Sequence, residues 1–506
     1  MAEETKTQAA AMTAESGRGL GLLSLLVGLA TGGAAYWITD RWIDASTPSP
    51  LSVTVLLTIT SFAAGWLLLS ERRDFIRPIF PAAIIASVIA LPTWHIMRTG
   101  SAADGSLDAF PIGFWFVVSA PLAFYLMLTL AKASLETGTP PKYPSVYFHG
   151  LTLPLVAAGA KIFAGLSLVL LFAWAALLKQ MDVRFFSELF DEPWFILPFL
   201  GAVGGLSIAM IRGQQAVLGA LRFVLLLFSR IAMPIMALFS ITFLAALALK
   251  GPGAILNADM FFGRPAAVIL FLAFSGMLIF NGVYQNGEGA PPPAWLRLST
   301  AVAIALFPVY TGLAAHGVWT RIAEYGLTPP RIGGCAMTML AFAYSLVLIV
   351  GLLTEANWRA QKWMPMTAPL NTLMATSWVV VLVGLSSPLV NMWAISAQSQ
   401  ERLLLSGQVD AEKFDFGYLK FRLGAYGDAA LARIEQADHP QSDIIRREID
   451  RVRSVETYWE YQNPELAIGE PEMTAADPSG ANNDAATSQP GPADLEFNPE
   501  GAPDDE

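Results

Sequence analysis

The chain has 506 residues, 54% hydrophobic and 14% charged, against roughly 25% charged in an average soluble domain. That balance excludes a soluble multidomain protein. The net charge of −10 divides unevenly, with 22 Lys+Arg against 18 Asp+Glu in residues 1–390 and 9 against 23 in residues 391–506, so neither part offers the dense basic surface that nucleic acid demands.

A polar leader, residues 1–18, carries Glu3, Glu4 and Glu15 and precedes a first apolar run near 19–38. This run ends in Tyr36, Trp37 and Trp42 instead of a small-residue cleavage site, so it reads as a retained span and not a secretion signal. Further runs follow near 51–70, 79–97, 112–132, 154–178, 195–212, 228–249, 265–283, 298–317, 334–353 and 369–390. Each approaches the roughly 20 residues that cross a bilayer as a helix. Residues 19–390 are therefore expected to form an all-α, polytopic transmembrane bundle of about eleven spans. A transmembrane barrel is excluded, because its strands would show short alternating segments. The breaks carry turn residues, among them Pro291-Pro292-Pro293, and leave no room for a soluble domain.

Short-loop Lys and Arg residues set orientation. With the N-terminus inside, 13 fall on inner segments and 8 on outer ones, Lys161 being set aside within the fifth run. That orientation, with eleven spans, puts the C-terminal tail outside.

The tail has two parts. Residues 391–454 hold 10 acidic and 9 basic residues with helical periodicity, Phe414, Tyr418 and Phe421 sharing one face and Ile445, Ile449 and Val452 another. Short amphipathic helices broken at Gly424 and at His439-Pro440 are expected, and their apolar faces suit a protein partner. Residues 455–506 hold 13 acidic residues and no basic ones, which predicts disorder.

Chemistry-bearing residues are sparse. One cysteine, Cys335, excludes an intramolecular disulfide or a cysteine-rich metal site, and His95, His149, His316 and His439 are too scattered to form a metal centre. No catalytic constellation and no cofactor motif is found. Asp415-Phe416-Gly417 looks like a kinase magnesium motif but lacks every companion element. Lys161 and Arg230 each precede a clean apolar run and suit snorkelling to an interface. Arg222 and Arg230, eight apart, fit a juxtamembrane helix lying on anionic headgroups. Gly28–Gly32 and Gly201–Gly205 are small-xxx-small pairs that let helices approach closely.

The most informative loop runs from Arg321 to Arg331. Arg321 and Glu324 can pair on one helical face, Gly326 would end that helix, and Thr328 with Pro329-Pro330 would start the next. Two readings stand: a well-capped turn, or a substrate site in which Arg321, Glu324, Tyr325, Thr328 and Arg331 gather around an anionic group.

Tyr325-Gly326-Leu327-Thr328 followed by Arg331 resembles a motif of the bacterial multi-pass membrane proteins called domain of unknown function 4153. Residues 171–178 with 185–190, Asn281-Gly282-Val283-Tyr284-Gln285-Asn286, and Ser396 to Leu405 with Ser406-Gly407 are similar to other stretches of that family. The resemblance covers residues 145–425 or so. It implies a polytopic protein of the bacterial inner membrane with no established activity and no catalytic residue to carry over.

Function classes are narrowed accordingly. A transporter-like or lipid-handling permease fits many glycine-interrupted spans, since substrate sites form where helices break at depth. A non-catalytic envelope scaffold would use residues 391–454 to hold a partner. An enzyme on lipid-linked substrates would need a loop cluster such as Asp182, Glu188, Asp191 and Glu192, which an interfacial amphipathic helix explains more simply.

Overall fold

The computed structural model describes residues 2–42, 49–71, 74–101, 107–256, 265–354 and 363–463. Every regular element among them is helical. In chain order they are α1 (Ala2–Trp42), α2 (Pro50–Leu69), α3 (Ile79–Ser101) and α4 (Phe110–Gly113), the last running through a π-turn (Phe114–Ser119) into α5 (Ala120–Thr137). Then come α6 (Tyr143–Gln180), α7 (Phe185–Asp191), α8 (Pro193–Gly213), α9 (Gln215–Leu256), α10 (Pro265–Tyr284), α11 (Ala294–Tyr325), α12 (Pro329–Leu353) and α13 (Thr367–Leu385). The C-terminal part holds α14 (Met392–Leu405), α15 (Phe416–Gln436), α16 (Ser442–Ser454) and α17 (Tyr458–Gln462).

Among the described residues, eleven helical segments are long and apolar enough to cross a membrane, and they coincide with the eleven runs read from sequence. Three, α6, α9 and α11, are much longer than their runs. α6 has 38 residues, about 57 Å at 1.5 Å per residue, nearly twice a hydrocarbon core of about 30 Å. Hydropathy marks only the apolar stretch, and misses the first turns of α6, where Tyr143, Tyr147 and His149 continue the helix.

Three apolar cores organise the bundle. One joins α2, α3, α5 and α6 around Leu69, Ile85, Leu128 and Val156. A second joins α9 to α12 around Met277, Phe280, Ile304 and Phe307, and takes in Tyr143 from α6 and Met364. The third joins α3, the π-turn, α5 and α13 to α14–α16. At one rim, Asp108 N–H donates to the Arg422 carbonyl at 2.8 Å and Trp393 Nε1 to the Asp108 carbonyl at 3.2 Å. The C-terminal helices are thus seated on the ends of the spans.

α1 lies against α8 through facing glycines. A methyl group on Gly28 would come 2.0 Å from the Gly201 carbonyl oxygen, and one on Gly205 would come 2.0 Å from the Ser24 carbonyl oxygen. Backbones this close admit only glycine, which is the packing expected of the two small-residue pairs.

The C-terminal segment departs from expectation in two respects. Its apolar faces are not free: Phe414, Phe421, Ile445, Ile449 and Val452 are all buried within the protein's own third core. A partner at residues 391–454 would therefore meet their charged outer surface. Order also extends beyond Ser454. Thr457 and Glu460 form a reciprocal capping box at the start of α17, and Tyr458 OH donates to Asp415 Oδ2 at 2.6 Å. The Tyr461 ring lies where a side chain on Gly417 would be, 2.4 Å from such a methyl group. Two aromatic residues, Tyr458 and Tyr461, anchor a stretch whose acidic composition predicts disorder; the rest of that tail, 464–506, lies outside the described residues. Asp415 is a helix cap, accepting from Tyr418 N–H at 2.9 Å. The breaks expected at Gly424, which has φ +51°, and between α15 and α16 are present.

Candidate functional site

The spans bring four neutral polar side chains together near the ends of α6, α10 and α13, beside Tyr344 of α12. Asn371 on α13 donates from Nδ2 to Tyr143 OH on α6 and to Asn281 Oδ1 on α10, each at 2.9 Å. Asn281 in turn donates to Tyr344 OH on α12 at 2.7 Å and to the Met277 carbonyl at 3.0 Å. Each carboxamide nitrogen thereby uses both of its hydrogens. The ring pair Tyr143–Tyr284, centroids 6.0 Å apart, extends the cluster, and Tyr284 OH donates to the Met364 carbonyl at 3.1 Å.

Beside this network lies a cavity of about 250 Å³ whose wall includes Tyr125, Thr129, Tyr143, Tyr147, Asn281, Tyr344, Asn371 and Trp378. Five helices, α5, α6, α10, α12 and α13, supply that wall. Two wall residues carry a buried polar atom with no hydrogen-bond partner among the described residues, Tyr147 OH and Asn371 Oδ1. A buried polar atom left unpaired costs about 1–3 kcal/mol.

A charged junction closes the nearer rim. Lys132 on α5 donates from Nζ to the Leu69 carbonyl at 2.7 Å and to Glu71 Oε1 at 2.6 Å. Arg212 on α8 donates to the Leu67 carbonyl at 2.8 Å and to the Ser70 carbonyl. Two cations thus satisfy the carbonyls that the end of α2 leaves unpaired and oppose its dipole. Next to them, His149 Nε2 on α6 lies 2.9 Å from Glu136 Oε1 on α5, while Glu136 Oε2 accepts from Ser145 Oγ at 2.7 Å. Arg222 donates to Thr152 Oγ1 at 3.0 Å and stacks over Phe148 at 4.4 Å. Glu71, Lys132, Glu136, His149, Thr152 and Arg212 border an opening of about 530 Å³.

The loop between α11 and α12 behaves as a turn. Gly326 ends α11 with φ +69°, and Pro329 and Pro330 occupy the first turn of α12. Thr328 precedes α12 without a side-chain cap bond, and no ion pair joins Arg321 to Glu324 among the described residues. Arg331 donates from Nη1 to the Tyr325 and Gly326 carbonyls at 2.9 and 2.8 Å and packs over the Tyr325 ring. α14 holds the same turn: Ser399 Oγ accepts from Leu327 N–H at 2.8 Å, Ser396 donates to the Leu327 carbonyl at 3.0 Å, and Gln400 donates to the Tyr325 carbonyl at 3.0 Å. Arg321, Glu324, Tyr325 and Arg331 also line an opening of about 530 Å³ together with His316, while Thr328 stands outside it.

Sequence reasoning found neither the Tyr–Asn cluster nor the His149–Glu136 contact. Neutral Tyr and Asn carry no signal in a search for ionisable groups at depth, and their partners lie 63 to 228 positions away. Only Glu136 and His149, 13 apart across the α5–α6 turn, were within reach of a local pattern.

Compared with protein-family models, curated proteins and solved structures, the chain gives no match. The chain is a multi-pass membrane protein on its own physical evidence.

Proposed function

We propose that this protein is a permease-like handler of amphiphiles, with the Tyr143–Asn281–Tyr344–Asn371 cluster as the place where the polar end of the cargo is held. The observation that carries this reading is the 250 Å³ cavity walled by five spans, with Tyr147 OH and Asn371 Oδ1 left without partners. Neutral carboxamides and phenols can trade hydrogen bonds with a polar headgroup without exposing a bare charge to hydrocarbon. The remaining wall, with Leu126, Leu130, Leu278, Met374 and Trp378, suits an apolar chain. The bacterial inner membrane, and membership of the domain of unknown function 4153 family, belong to the same proposal and rest on the motifs quoted above. A scaffold reading is less favoured, because the apolar faces of α15 and α16 that would bind a partner are packed inside.

Native mass spectrometry of the protein purified in a mild detergent tests the reading. Wild type should retain bound amphiphile that Asn371→Leu loses. Equal retention by both proteins would count against the cluster as the holding site.

A further inference from the structure

The rim of the bundle that carries the end of α10 holds a second cavity, of about 400 Å³, at a different chemical boundary. Its position is fixed by a close contact. A methyl group on Gly282 would fall 2.1 Å from Ser229 Oγ, so α9 and α10 touch there and the next residue, Arg230, stands level with Tyr284 where α10 ends. Arg230 lines the cavity with Tyr284, Gln285, Asn286, Trp295 and Trp363.

The Arg230 guanidinium makes no hydrogen bond or ion pair among the described residues, unlike Arg212 and Arg222, which are committed to carbonyls and to Thr152. Its electrostatic neighbour is Tyr147, whose buried hydroxyl also lacks a hydrogen-bond partner among the described residues and lines the Tyr–Asn cavity. The one carboxylate of the loop, Glu288, is exposed and does not line the cavity. Trp295 is 59% exposed, and Leu227 and Ile231, 43% and 58% exposed, flank Arg230 on α9. A cation with five unused donors, an indole at a membrane boundary and an adjoining apolar face are the three parts of an anionic-lipid site.

We propose that this rim cavity binds the phosphate-bearing headgroup of an anionic lipid, with Arg230 on the phosphate and the acyl chains over Leu227 and Ile231. This rests on the amphiphile-handling reading and deepens it, since Arg230 is the electrostatic neighbour of Tyr147 on the wall of the Tyr–Asn cavity and would receive cargo at the membrane surface. The shared chemistry is a phosphate monoanion, which a free phosphate ion also offers.

The test is thermal unfolding of the full-length protein in neutral detergent, titrated with phosphatidylglycerol, phosphatidylcholine or inorganic phosphate. Phosphatidylglycerol should raise the Tm saturably by several degrees, with phosphatidylcholine and inorganic phosphate giving little. Arg230→Gln should weaken the phosphatidylglycerol effect at least tenfold in concentration, and Arg230→Lys, which keeps charge but loses the paired donors, by a smaller factor. Trp295→Leu provides a second variant should Arg230→Gln fail to purify, and should weaken it severalfold. Arg321→Gln, at the opposite rim, should match wild type. An unchanged response in Arg230→Gln, or equal stabilisation by phosphatidylcholine, would overturn the site; equal stabilisation by inorganic phosphate would overturn its assignment to a lipid. The two proposals fail separately, because Asn371→Leu should keep the phosphatidylglycerol response while losing cargo.

Discussion

Asn371 and Asn281 are 90 positions apart in sequence and 2.9 Å apart in the fold, Nδ2 of the first donating to Oδ1 of the second. Through this bond α13 is tied to α10, and through Tyr143 and Tyr344 to α6 and α12. The bond should be measurable as a coupling energy. Asn281→Leu and Asn371→Leu are each expected to lower stability by about 1 kcal/mol, the usual size of an interhelical polar contact in membranes. The double variant should lose less than the sum of the two. A fully additive double-mutant cycle in detergent unfolding would show that the pair does not act as a unit.

The α1–α8 seam should be intolerant of any side chain. Gly201→Leu places new atoms where a methyl group alone would lie 2.1 Å from the Gly28 carbonyl oxygen. Overpacking of this kind costs about 1–3 kcal/mol or more. Loss of an engineered disulfide between α1 and α8 in Gly201→Leu would report their separation, whereas Gly204→Leu, with open space around it, should retain it.

Much of this architecture was legible in the sequence, for identifiable reasons. Eleven apolar runs became eleven spans because hydrocarbon enforces length and backbone satisfaction. Gly28, Gly32, Gly201 and Gly205 announced a close contact because only glycine permits one, and Gly326 announced the end of α11 because its φ is +69°. The Tyr–Asn cluster was not legible. Tyr143 and Asn371 look ordinary at the starts of their helices, and only the fold makes them neighbours. The part Arg331 plays in the turn was not legible either, since nothing local says that its guanidinium returns to the carbonyls of the preceding helix.

That geometry changes the expectation for Arg331→Gln. Two carbonyls at the end of α11 would lose a charged donor, at a cost of about 1 kcal/mol or more. The variant should unfold at a lower temperature than wild type, and Arg331→Lys should recover part of the loss. Unchanged stability in Arg331→Gln would return the turn to the anion-binding reading.

Acid should loosen the α15–α16 contact. Arg453 donates to Glu435 Oε2 at 2.7 Å and holds that carboxyl below the usual glutamate range, and the Glu412 N–H followed by Gln441 does the same for Asp410. Groups with lowered folded values stabilise fully above their unfolded values, roughly pH 4, and the gain is lost as pH falls through the folded values. Burial raises Asp428 instead, which works in the opposite direction. Protection factors over residues 416–454, taken relative to the intrinsic exchange rate at each pH, should therefore fall below about pH 4. Arg453→Gln should show a smaller acid-induced change. The same pH response in that variant would remove Glu435 from the account.

The central claim is that the Tyr–Asn cavity handles amphiphiles, and the most direct measurement is flux in proteoliposomes carrying a fluorescent phosphatidylglycerol analogue. Dithionite added outside should bleach the inner-leaflet probe only as fast as the protein brings it across. Wild type is predicted to accelerate that phase well above protein-free vesicles, with Asn371→Leu and Tyr147→Phe slower by tenfold or more at equal reconstitution. Identical rates in wild type, Asn371→Leu and empty vesicles would contradict the account.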